Sequence, residues 1–267
     1  MMTYRLLLVL IPVLLASWGA AAFVTPFLPF PFFRVFDRCL LVLAMLAVFF
    51  FQRKVRKKSF SELGLDGKGR ITKDLSGGVA FSLISFLVIT LVSLLSGFSV
   101  LAYHPPHLRK IFNYFLASIL TAFFEEFFFR GCLFQTLRDD FSPSWSIVIS
   151  SAVYSLVHFA RPFFTGSHDL SLFYTEFFGL FLFGVLLSYA RLRTGSLFLA
   201  MGLHGGFVLF LKMDGILVNR LIWNPAWIFG EERLIGGIVT WSIFLVAVPW
   251  IKGFTRNHGG EGVKSKP

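Results

Sequence analysis

IFNYFLASILTAFFEEFFFRGCLFQTL, residues 111–137, is the stretch whose reading decides the fold. A helix that crosses a bilayer needs about 20 predominantly apolar residues. This segment is long enough, and it is apolar on every side rather than along one stripe. A surface helix of a soluble protein would carry charge on its outer face. Only Glu125, Glu126 and Arg130 interrupt it. An ionised side chain at the bilayer centre costs at least about 2.5–3.5 kcal/mol. Three of them in one span therefore mark either a structural pair or a site of chemistry.

The chain around it follows the same pattern. Apolar segments bounded by charge occupy 6–24, 35–51, 75–103, 141–160, 170–190, 194–211 and 234–251. With 111–137 they predict an all-α, polytopic transmembrane bundle of about eight spans, forming one membrane domain over 1–267. Composition agrees: hydrophobic residues make up 56% of the 267 residues, with 36 Phe, and charged residues only 15%. An ordinary soluble domain has about 25% charged residues. That contrast excludes a disordered chain, a collagen or a coiled coil, and it argues against a soluble domain. A membrane β-barrel is disfavoured because the apolar residues run continuously instead of alternating. Cys39 and Cys132 form no CxxC pair or disulfide framework and read as buried thiols. Residues 6–24 follow Arg5 and end on Ala20-Ala21-Ala22, a plausible signal-peptidase site. Their uncharged run exceeds the 7–15 residues of a signal-peptide core, so they read as an uncleaved first helix.

The net charge of +11 needs a topology before it needs a partner. Residues 52–74 hold Arg53, Lys54, Arg56, Lys57, Lys58, Lys68, Arg70 and Lys73. If that loop is cytoplasmic, eight spans place both termini inside. Seventeen of the 25 Lys and Arg then lie on the cytoplasmic side. The other eight are Arg34, Arg38, Arg109, Lys110, Arg161, Lys212, Arg220 and Arg233. This is the positive-inside bias of a multi-span protein, here of a bacterial inner membrane. It accounts for the basic charge by the lipid surface, with no nucleic-acid partner. Residues 252–267 form a short cytoplasmic tail.

The ionisable residues within spans are Glu125, Glu126, Arg130, His158, Glu176 and His204. Counted from the cytoplasmic ends of their helices, Glu125, His158 and His204 lie 12, 13 and 10 residues deep. At about 1.5 Å per residue this is one layer, roughly 15–20 Å in. Glu126 and Arg130 stand at i and i+4 with the acid first, the favourable order for a helical ion pair. Glu125 is rotated about 100° from Glu126 and faces Phe129 at i+4. The two carboxylates are therefore expected to do different jobs, Glu126 neutralising Arg130 and Glu125 facing a cavity. Glu176 lies near the same layer, either on the cavity or paired with a neighbour. His104, His107, His168 and His258 fall in loops or the tail and read as solvated.

Phe124-Glu125-Glu126-Phe127-Phe128-Phe129-Arg130-Gly131 resembles the EExxxR motif of the CPBP intramembrane proteases, also called Abi, a family that includes the type II CAAX prenyl proteases. Ser155-Leu156-Val157-His158-Phe159 resembles the second motif of that family. Arg193-Thr194-Gly195-Ser196-Leu197 followed by Gly202-Leu203-His204 resembles the third, and Ser61–Leu65 the segment before a long helix. The likeness covers about 61–211, the protease-like core.

It implies an intramembrane endopeptidase that hydrolyses a peptide bond in a peptide or membrane-anchored protein. By analogy Glu125 is the catalytic carboxylate, with His158 and His204 beside it. Two readings of the chemistry stay open. Two histidines and a glutamate suit a three-ligand zinc site with an open position, and a glutamate in an apolar cavity can activate water without metal. There is no HExxH. One position departs from the family pattern: four residues after His204, where a polar residue is usual, stands Val208. Gly205 and Gly206 beside it fit either close substrate approach or helix packing. The cut is expected in the middle or cytoplasmic half of the bilayer. The alternatives are a proton-coupled transporter, since midplane Glu and His also build proton relays, and a catalytically impaired protease-like scaffold.

Overall fold

A computed structural model describes residues 2–67, 69–102, 107–165, 170–221, 226–230 and 234–256. His104, His168 and His258 lie outside them, and His107 is exposed at the start of a helix. The described chain is built almost wholly of helices: α1 (Met2–Val24), α2 (Phe32–Phe50), α3 (Ile71–Leu95), α4 (Leu108–Glu126), α5 (Phe134–Asp140), α6 (Pro143–Thr165), α7 (Leu170–Thr194), α8 (Phe198–Leu217), α9 (Ala226–Phe229) and α10 (Ile238–Phe254). Six helical stretches are long and apolar enough to cross a membrane, α4 and α5 counting together as Leu108–Asp140. The 23 residues of α6 and the 17 of α10 occupy the other two segments of the eight. One element departs from an all-helical reading. Ser99–Leu101 (β1) and Val218–Arg220 (β2) pair antiparallel as a small ribbon.

Close packing centres on α8. Three glycine or serine contacts bring it against α3, where side chains would hold it off. A Cβ on Gly202 would lie 2.3 Å from Leu75 O, and one on Gly78 would lie 2.5 Å from Leu203 N. Ser82 Oγ then donates to Leu203 O at 2.9 Å. Such small-residue contacts hold helices together where lipid supplies no hydrophobic drive. They also settle the two glycines that follow His204. Gly206 packs on Ser82, and Gly205 sits beside Ala122 of α4. Both serve helix packing, and together they fix the rotation of α8 between α3 and α4.

Between α4 and α5 the helix widens over Phe127–Leu133 into a π-type turn. Such segments concentrate at functional sites because they re-aim side chains within an otherwise regular helix. The carbonyl of Cys132 accepts from Gln52 Nε2 at 3.3 Å and from Thr136 Oγ1 at 2.9 Å. Gly131 lets the turn approach Leu63 O of the Ser61–Leu65 segment, where a Cβ would stand at 3.1 Å.

Ser61–Leu65 is tucked under the bundle. Gly64 has φ 97°, a left-handed conformation that only glycine adopts cheaply, and its missing Cβ leaves room for the Arg191 guanidinium. Leu197 N donates to Gly64 O at 2.8 Å. The same end of the bundle gathers the rest of the basic loops. Arg56 pairs with Asp139 at 2.6 Å, the Thr3 N–H donates to Asp140 at 2.7 Å, and Arg193 Nε donates to Thr255 Oγ1 at 3.2 Å. The β1–β2 ribbon lies at the opposite end.

Candidate active site

Glu125 is the last-but-one residue of α4, His158 lies on α6 and His204 on α8. The structure brings the three together. His158 Nε2 and His204 Nε2 each lie 3.7 Å from Glu125 Oε2. The Glu125 side chain is one-quarter exposed, at 25%, yet its Oε2 is buried and has no hydrogen-bond partner among the described residues.

The tautomers follow from the partners. His158 Nδ1 lies 2.8 Å from Tyr154 O, and a carbonyl only accepts, so Nδ1 carries the proton. His204 Nδ1 lies 2.7 Å from Glu126 Oε1, a carboxylate, and carries a proton for the same reason. In each neutral ring Nε2 then bears a lone pair. Three acceptor atoms thus converge on one gap that is too wide for a direct hydrogen bond. A water molecule donating into it would satisfy two of them.

Glu126 does a different job from Glu125. It is wholly buried, and its Oε1 accepts from Arg130 Nη1 at 2.9 Å as well as from His204. Arg130, also 0% exposed, donates Nη2 to Gly184 O at 3.2 Å and places its guanidinium 4.5 Å from the Tyr154 ring centroid. The wide turn after Glu126 carries Arg130 into this position. The ion pair was legible from the i, i+4 spacing, whereas the bond from His204 to Glu126 was not, since it depends on how α4 and α8 face each other.

Tyr154, 1% exposed, backs the site. Its ring lies 4.5 Å from that of His158 and 6.2 Å from that of His204, and Phe183 closes the other side of His204 at 5.5 Å. Being uncharged, Tyr154 gave no signal beyond its place one turn before His158. Ser155 Oγ donates to Phe177 O at 2.6 Å and locks α6 onto α7.

Glu125, His158 and His204 line a cavity of about 620 Å³, within the range of small-molecule and peptide sites. Its walls include Thr121, Phe207, Val208 and Leu211, and further out Lys212, Asp214 and Arg220. Val208 therefore does face the cavity, one turn beyond His204. Thr240 on α10 also lines it, with a buried hydroxyl that has no partner among the described residues. Glu176 is buried beside Gly236, in the turn Leu234–Gly236 that leads into α10, the second of its two expected placements.

The donor types suit zinc, although among the described residues no three His, Cys, Asp or Glu side chains are grouped as they stand so as to hold a metal ion.

Comparison with known families points the same way as the motifs. Residues 106–210 match the family model of type II CAAX prenyl endopeptidase Rce1-like proteins, which falls within the CPBP/CAAX protease family. The matched stretch contains Glu125, Glu126, Arg130, His158 and His204. No curated protein matches the chain. The match supports a CAAX-type endopeptidase acting within the membrane, and with the apolar helices it marks the chain as an integral membrane protein.

Proposed function

We propose that this protein is an intramembrane endopeptidase that hydrolyses a peptide bond with water activated by Glu125. The observation that carries the reading is the convergence of two histidine Nε2 atoms on Glu125 Oε2, each 3.7 Å from it, at the inner end of a cavity. Glu125 takes a proton from a water held between it and His158. The water oxygen attacks the substrate carbonyl carbon and leaves a negative charge on the carbonyl oxygen. As the C–N bond breaks, Glu125 returns the proton to the departing amine, so the carboxylate is regenerated.

His204 faces the developing oxyanion. Its Nε2, 3.7 Å from Glu125 Oε2, takes the water's proton on from Glu125, donates it to the oxyanion and hands it back before the C–N bond breaks. Glu126 and Arg130 are positioning residues that fix the ring through Nδ1. The usual polar residue after the histidine is Val208 here, which cannot donate. The Thr240 hydroxyl, buried on the cavity wall with no partner among the described residues, is a donor able to take its place.

The test is Glu125→Gln in proteoliposomes with a quenched-fluorescent peptide. Hydrolysis should fall to background while the protein keeps its yield and its unfolding profile. Cleavage at the wild-type rate by that variant would end the proposal. A proton-coupled carrier would need a path onward to the basic end, whereas inward of Glu125 the side chains Arg130, Cys132 and Phe134 are all 0% exposed.

A further inference from the structure

Among the described residues, the cavity is walled off towards the basic loops and reaches exposed chain at the opposite end. Towards the basic end, the layer beyond the Glu–His site is packed solid. Arg130, Phe134, Leu187, Ala190, Leu197 and Ala200 are all 0% exposed. Ser61–Leu65 then plugs the bundle beneath them, with Leu63 also at 0%. Towards the other end, the cavity runs along α8 from His204 past Val208 and Lys212 to Gly215, about 16 Å at 1.5 Å per residue. Gly215 is exposed, and Arg220 of β2 stands beside it in an ion pair with Asp214. The mouth therefore lies at the β1–β2 ribbon.

The Lys and Arg distribution gives this geometry a side. Arg53, Lys54, Arg56, Lys57 and Lys58 sit at the closed end, as do Arg138, Arg191, Arg193 and Lys252. Positively charged flanks stay in the cytoplasm. We infer that the site opens to the non-cytoplasmic face of the membrane. Its substrate is then an exported or outward-facing polypeptide, entering as an extended or unwound segment from the outer half of the bilayer. This deepens the protease reading and rests on it for the cleavage step. Of the middle and the cytoplasmic half of the bilayer as places for the cut, it favours the middle, because a floor of fully buried side chains separates Glu125 from the cytoplasmic end.

The two ends are distinguished by single cysteines in a Cys39→Ser, Cys132→Ala background. Gly215→Cys marks the mouth, where an added Cβ meets no atom within 4 Å, and Lys54→Cys marks the closed end, where the side chain is exposed. In intact bacterial cells a membrane-impermeant sulfonated maleimide should label Gly215→Cys and leave Lys54→Cys unlabelled until the cells are opened. The reverse pattern overturns the inference, as does failure of Gly215→Cys to react even in detergent. The labelling does not depend on activity, so it stands or falls apart from the catalytic reading. A second measurement joins the two. In right-side-out vesicles, a bulky maleimide on Gly215→Cys should abolish hydrolysis of a quenched-fluorescent peptide added outside. Undiminished hydrolysis by the fully labelled variant would show that substrate enters elsewhere. If Glu125→Gln cleaves that peptide as wild type does, the protease reading fails while the sidedness is unaffected.

Discussion

Arg130→Ala is the perturbation that most directly probes how the site is held. In the native protein the guanidinium and the Glu126 carboxylate are both 0% exposed and meet at 2.9 Å. The substitution leaves the Glu126 carboxyl in the interior without its cation, with the His204 N–H on its Oε1 and no partner on Oε2 among the described residues. It also removes the donor to Gly184 O and the cation from the Tyr154 face. Removing one partner of a buried pair costs about 3–5 kcal/mol. For a domain of this size, 1 kcal/mol shifts a melting temperature by about 2–4 °C, so a fall of roughly 6–20 °C is expected. Thermal unfolding in detergent and the yield of folded membrane protein both read it. A double variant, Glu126→Gln with Arg130→Met, leaves no uncompensated charge and should recover most of the loss, since replacing both members of a buried pair is often near neutral. Peptide hydrolysis should nonetheless stay low in the double variant, because the amide that replaces the Glu126 side chain no longer offers His204 a carboxylate. If Arg130→Ala unfolds within about 2 °C of wild type, a shift of under roughly 1 kcal/mol, the buried ion pair is not what holds this layer together.

His158→Ala and His204→Ala should each lower hydrolysis by about 100- to 1,000-fold, the usual cost of one oxyanion donor or water-orienting group. Because such groups act as a unit, pairing either with Glu125→Gln should add little, and multiplicative losses would show that they act separately. Treatment with a strong chelator should leave the rate unchanged and the purified protein should carry less than one zinc per chain; stoichiometric zinc, with activity lost on its removal and regained on its return, would show that substrate or breathing of the helices brings the three side chains into a metal site. Val208→Asn should raise the rate, and Thr240→Val should lower it by an amount like that of His204→Ala; a Thr240→Val enzyme of wild-type rate would strike Thr240 from the oxyanion's partners.

What could be seen in the sequence was whatever depends on distance along a helix. Depth placed Glu125, His158 and His204 in one layer, because each helix rises by a fixed amount per residue. Spacing paired Glu126 with Arg130 for the same reason. Rotation between helices could not be read that way. Glu176 matched the layer, but whether it met the cavity or a neighbour could not be read, because the face of α7 that meets the cavity is set by contacts such as Ser155 with Phe177. The mouth was hidden by the use of charge to bound the spans. With Lys212 and Asp214 as boundaries the seventh span stops at Leu211, yet α8 runs on to Leu217, and both side chains line the cavity. The three-residue strands of the ribbon are too short to carry a period of their own.

Two adjacent carboxylates in lipid are the costliest feature of this chain, and the fold makes each tolerable by opposite means. Glu126 points into the protein, where Arg130 and His204 answer its charge on one oxygen. Glu125, about 100° around the helix, points into the cavity, where no described side chain donates to its Oε2. The first arrangement is stable and therefore unreactive. The second leaves a carboxylate whose hydrogen bonds must come from water or substrate, as a base requires. The wide turn at Phe127–Leu133 is what lets one helix hold both. It follows Glu126 directly and swings Arg130 towards Gly184 and Tyr154, leaving Glu125 without a cation in its own helix. Had α4 continued as a regular helix, the pair would still form, but the guanidinium would not be carried to the α6–α7 interface that anchors it. The reactivity of Glu125 thus depends on how completely its neighbour has been neutralised.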